Sequence, residues 1–131
     1  MPDDTAELLQ LSQRLLDCIA VGDWLTYQEL CDPSLTAFEP EGCGQFIEGL
    51  AFHRFYFDAN EQQPRHQTTM IRPQVRLLGD GAVVCYVRLN QRTANDGRTY
   101  STAFEETRVW ERRDGRWRHV HFHRSALPSQ R

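Results

Sequence analysis

Apolar residues recur at Leu8, Leu11, Leu15, Leu16 and Ile19, the three-and-four spacing of one helix face. Asp3, Asp4 and Thr5 precede them as cap candidates, and Gly22 follows as a stop. Asp23 can then cap a second helix, Trp24 to Cys31, which Pro33 closes off. Leu35–Glu39 reads as a short strand, punctuated by Pro40, Gly42 and Gly44. Phe46–Glu48 reads as another short strand or a turn. A third helix is predicted from Gly49 to about Ala59. It contains the hexapeptide FHRFYF (52–57). Phe52, Phe55, Tyr56 and Ala59 share one face there, and His53 and Tyr56 can meet along an edge.

After Pro64 the period changes to that of strands. Gln67–Leu78, Ala82–Thr93, Thr99–Arg113 and Arg116–Ser125 are four long candidates, separated by Gly79-Asp80-Gly81, Asn95-Asp96-Gly97 and Asp114-Gly115. Such Asp-Gly signals mark hairpins. Helices followed by a meander predict one α+β domain over 1–131, with the helices on one face of a curved antiparallel sheet. The strand Ala82–Thr93 is apolar on both faces: Val84 and Tyr86 on one, Val83, Cys85, Val87 and Leu89 on the other. The helices can cover only one face. The pattern therefore predicts that another chain covers the second, making an oligomer.

Alternation also places charge among these apolar positions. Arg88 shares a face with Val84 and Tyr86, and Arg108 shares one with Phe104, Glu106 and Trp110. Arg124 falls with Arg118, Val120 and Phe122, which leaves Trp117, His119, His121 and His123 on the opposite face. An arginine placed among core residues needs a partner. Arg88, Arg108 and Arg124 either pair internally with Glu39, Glu105 or Glu106, or line a pocket that takes an anion. The three alternating histidines suit an interface or an exposed stripe better than a zinc site, because no cysteine or carboxylate stands in pattern with them. No metal or cofactor is expected, and there is no phosphate-cradling glycine loop or nucleophile elbow. His53, Tyr56 and Glu39 leave room for acid–base chemistry.

Composition refines this picture. The length of 131 residues suffices for a core without staples. The longest apolar run, AVVCYV (82–87), is far too short to span a bilayer, and MPDDTAELLQ lacks the basic and apolar regions of a signal peptide. No membrane partner and a cytoplasmic location are expected. Cys18, Cys31, Cys43 and Cys85 show no C-x-x-C spacing and are read as free thiols. The net charge of −3 is divided: residues 1–62 balance at −10 and residues 63–131 at +7. The overall sign argues against nucleic acid, and the division favours head-to-tail attraction between copies. All fifteen basic residues are arginine, whose planar fork stays charged when buried.

Two long stretches, 31–57 and 105–129, resemble the association, or hub, domain of calcium/calmodulin-dependent protein kinase II. The resemblance lies in TAFEPE, EGLAFHRFYF, EETRVW, RRDGRW and VHFHRS, with HQTTMIRPQV and YVRLNQ between them. It implies the nuclear-transport-factor-2-like cone, in which helices pack in the mouth of a strongly bent sheet. It further implies closed ring homo-oligomers, usually dodecamers or tetradecamers, with an arginine-lined pocket for small carboxylates. The pocket positions it implies are His53, Tyr56, Arg88, Arg108 and Arg124, with His53 and Tyr56 facing inward and Phe52 and Phe55 as wall. A stand-alone homologue without the kinase domain is expected, and not an enzyme. The alternative is a small isomerase- or dehydratase-type enzyme using the same pocket. Residues 58–65, DANEQQPR, read as a shorter loop than the family's, lacking its usual aromatic.

Overall fold

Asp3 accepts hydrogen bonds from the backbone amides of Thr5 and Ala6 at 3.0 and 3.4 Å, and so starts the first helix, α1 (Asp4–Val21). The computed structural model describes residues 3–59 and 66–128; most of the loop at 58–65 thus lies outside the described residues. The leucine spacing does what it predicts: Leu8, Leu15 and Leu16 are fully buried. Gly22 ends α1 with a φ of 76°, in the left-handed region that favours glycine. Asp23 caps α2 (Trp24–Leu30) by accepting from both the amide and the hydroxyl of Thr26.

The chain continues as β1 (Cys31–Phe38), a short helical turn at Pro40–Gly42, β2 (Ile47–Glu48) and α3 (Ala51–Ala59). Four long strands follow: β3 (Gln67–Leu78), β4 (Gly81–Thr93), β5 (Thr99–Arg113) and β6 (Arg116–Ala126). They form one open, curved six-stranded sheet in the order β2-β1-β6-β5-β4-β3. The sheet is not wholly antiparallel as expected, because β1 runs parallel to β6. A strand's residues reveal its pleat but not the neighbour it finds after a long excursion. Here the whole meander returns β6 to the side of β1.

Three register shifts interrupt the sheet, one of them between Cys31 and Thr36 where β1 meets β6. In β3 the extra residue falls at Arg72-Pro73, where Arg72 has a φ of 51° and Pro73 has no amide to donate. In β6, Val109 faces His121 while Trp110 faces His119, so Val120 is the extra residue. This bulge overturns the strict alternation expected for β6. Trp117 and His119 turn to the inner face together with Phe122, while His123 is exposed. The histidines therefore form neither a stripe nor a chelating row.

The helices cover the inner face, with α1 lying on β3 and β4. The core they close includes Leu15, Tyr27, Val84, Trp110 and Phe122. On the outer face Val83, Cys85, Val87, Leu89 and Val109 are half-buried, with no helix over them among the described residues. In α3 the assignment of wall residues changes. Phe55 is 65% exposed, and Phe57 packs instead on Trp24 and Tyr27 at ring separations of 5.1 and 5.0 Å.

Candidate functional site

Between α3, the end of α1 and the inner face of β4–β6 lies a cavity of about 550 Å³. His53 and Tyr56 reach its wall from α3, Arg88 from β4, Arg108 from β5 and Arg124 from β6. The five positions singled out in the sequence thus meet in one cavity. The bulge at Val120 leaves Phe122 and Arg124 on the inner side, where Arg124 lies over the Phe104 ring at 4.7 Å.

The arginines do not stand unpaired. Glu106, two residues before Arg108, accepts from Arg88 Nη1 on Oε2 and from Arg108 Nη2 on Oε1, both at 3.0 Å. Tyr86 donates its hydroxyl to the same Oε1 at 2.6 Å and accepts from Arg108 Nε at 2.7 Å. Burial would lift the Glu106 carboxyl, but Arg108, Arg88 and the tyrosine bond hold it below its usual value. Burial opposes the charge of Arg108 too, and Tyr86 and Glu106 outweigh it, so its pKa rises. Arg124 lies 3.6 Å from Glu39 and also pairs with Glu41. Internal pairing with Glu106 and Glu39 and convergence on one cavity, posed as alternatives from the sequence, coexist.

A second chain of contacts runs under the cavity floor. Arg108 Nη1 approaches His119 Nε2 at 3.4 Å, and His119 Nδ1 lies 3.3 Å from Cys31 Sγ. Burial and the positive Arg108 keep His119 neutral far below its ordinary pKa. Its Nε2 then accepts from Arg108, and the proton sits on Nδ1, directed at the sulfur. Burial pushes the thiols of Cys31 and Cys18 up to about 12, so neither forms a thiolate near neutrality. Iodoacetamide at pH 8 is expected to label the exposed Cys43 of the folded protein and to spare Cys18 and Cys31 until unfolding. Mass spectrometry of the labelled peptides checks this; native-state labelling of Cys31 would mean that the β1–β6 seam opens.

His53 Nε2 stands 3.1 Å from Glu39 Oε1, as a contact without hydrogen-bond alignment. Glu39 is therefore shared between His53 and Arg124. Other lining residues escaped the sequence reading. Asn90 and Arg92 continue the inward alternation of Arg88 along β4, so the strand period itself carries their signal. Glu41 and His66 also line the cavity; Glu41 sits in the one-turn helix Pro40–Gly42 and His66 just before β3, where no periodicity points inward. Four arginines (88, 92, 108 and 124) are thus set against three carboxylates (39, 41 and 106). No helix among the described residues is long and apolar enough to cross a membrane.

Residues 4–128 match the family described as calcium/calmodulin dependent protein kinase II association domain. Calcium/calmodulin-dependent protein kinase type II subunit delta from Oryctolagus cuniculus is 45% identical over 127 residues, covering 94% of this chain. The chain spans 24% of that relative's length. The hub homology domain from Chlamydamonas reinhardtii superposes with a TM-score of 0.89 at 47% identity, over 96% of this chain and all of that one. An NTF2-like protein from Cytophaga hutchinsonii shares the fold at only 17% identity, with a TM-score of 0.79 over 96% of this chain and 100% of its own. With residues 4–128 matched and the hub homology domain superposing over 96% of the chain, this chain belongs to the calcium/calmodulin-dependent protein kinase II association domain family, on an NTF2-like fold.

Proposed function

We propose that the chain is an assembly module that closes into a ring of identical copies and holds small carboxylates in its arginine-lined cavity, without turning them over. One observation carries the assembly reading: the outer sheet face, with Val83, Cys85, Val87 and Val109, has no cover within the described chain. Area of this kind is stabilised by a second copy at about 25 cal/mol per Å². The cavity reading rests on charge. The cluster retains an excess of one positive charge, and Arg88 leaves Nη2 without a partner among the described residues while Nε and Nη1 are engaged. A carboxylate there gains charge-assisted bonds of about 1.5–3 kcal/mol each before desolvation. Binding should therefore be modest and weakened by salt.

Light scattering at micromolar concentration is expected to give a mass many times that of one chain; a monomer's mass would end the assembly reading. Calorimetry with a short-chain carboxylate tests the cavity, and the absence of saturable heat would end that reading. Arg108→Ala is a poor probe, because it uncouples Glu106 as well as changing the cavity. A second reading, a small enzyme, is favoured by the His53–Glu39 contact. Protein-catalysed deuterium exchange beside a carbonyl, lost in Glu39→Gln, would support it. The tie from Glu39 to Arg124 weighs against a free base.

A further inference from the structure

We propose that the mouth of the cavity holds a second anion subsite, built on Arg92 with His66 beside it, so that the cavity's preferred ligand is a dicarboxylate. This rests on the carboxylate reading above and goes further, since that reading requires one anionic group only. Among the described residues, Arg92 is the cavity-lining arginine with no carboxylate in ion-pair range. Arg88 and Arg108 share Glu106, and Arg124 has Glu39 and Glu41. Arg92 Nε is nonetheless buried, with no hydrogen-bond partner among the described residues. His66 lines the same cavity, and its Nε2 is likewise buried with no partner among the described residues. Buried polar atoms are nearly always satisfied, so these orphans on residues lining one cavity, beside those of His53 and Arg124 on the same wall, point to a missing polar partner.

The placement suits a ligand with two ends. Arg88, Asn90 and Arg92 alternate on the inner face of β4, and four residues of strand carry the chain about 13 Å from the first to the last. Arg88 belongs to the inner network with Glu106, whereas Arg92 pairs in register with Tyr100, which is half exposed. One carboxylate can thus meet Arg88 while the other meets Arg92 nearer the opening. Both arginines act on His66: burial first, then Arg92, then Arg88 push its pKa down to about 4. Among the described residues Tyr100, in register with Arg92, brings its phenol to this part of the lining, and the stretch from Ile19 to Gly22 contributes no titratable side chain. An anion on Arg92 would cancel part of that positive field and raise the His66 pKa.

Calorimetry should compare succinate, glutarate and adipate with butyrate, valerate and hexanoate. The best dicarboxylate is expected to bind about tenfold tighter than its monocarboxylate counterpart, as one added bidentate contact allows. Arg92→Gln should bring dicarboxylates down to the monocarboxylate level. Arg116→Gln, which removes the same charge at the far end of the sheet, should keep the advantage. In a histidine titration by NMR, the dicarboxylate should move His66 upward from about 4. Equal affinity for both series in the wild type, or an advantage that survives Arg92→Gln, overturns the second subsite and leaves the carboxylate cavity standing. Absence of binding by either series overturns both.

Discussion

Glu106→Gln is expected to destabilise the folded chain by about 3–5 kcal/mol, the usual cost of leaving a buried charge without its partner. The substitution keeps the volume of the side chain and removes its charge. Arg88 and Arg108, both almost wholly buried, would then face each other with no carboxylate between them. Tyr86 would lose its charged acceptor. For a chain of this size the loss corresponds to roughly 10–20 °C in melting temperature, measured at fixed protomer concentration because assembly contributes to apparent stability. The pH profile gives a second readout. The Glu106 carboxyl lies below its ordinary value of 4.5 in the folded state. Its contribution is therefore present above 4.5 and is lost as pH falls through the folded value. The variant should lose that part of the acid slope. A melting temperature within a couple of degrees of wild type, with an unchanged acid limb, would mean that solvent already neutralises the arginines.

The other large effect is expected at Val109. This residue points outward from β5, in register with Val83 on β4 and His121 on β6, near the middle of the uncovered face. In an isolated chain Val109→Asp would hydrate its carboxylate and cost little beyond strand preference, about 1 kcal/mol. In an assembly closed over that face the same carboxylate would be buried without a partner, at a cost of several kcal/mol. Each 1.4 kcal/mol is tenfold, so association should weaken on the order of a thousandfold. Light scattering should then report single chains, while circular dichroism and carboxylate binding inside the cone persist. Val109→Ala, which removes apolar area without adding charge, should weaken assembly far less. An assembly of wild-type mass formed by Val109→Asp would show that the outer face is not the interface.

Much of this architecture was legible in residue order, because the relevant physics is local. The leucines of α1, the Gly22 stop, the Asp23 cap and the hairpin signals each act over a few neighbours, and the structure places them as read. The meeting of Arg88, Arg108 and Arg124 was partly legible too, since pleating sets which side of its own strand each occupies. What alternation could not carry was any event between strands. The parallel pairing of β1 with β6 depends on a partner met only after some eighty residues. The extra residue at Val120 arises from the fit of β6 against β5, and it sends His119 inward while strict alternation sent it out. Phe55 is exposed and Phe57 packed because the docking of α3 on Trp24 and Tyr27 chose its buried face. That the buried Arg88 and Arg108 share one internal carboxylate turned on a Tyr86–Glu106–Arg108 geometry set by side chains from two strands. Sequence pattern determined the elements and their faces, since each follows from short-range periodicity. Tertiary structure decided register, bulges and ion-pair partners, since these depend on distances between segments that only folding brings together.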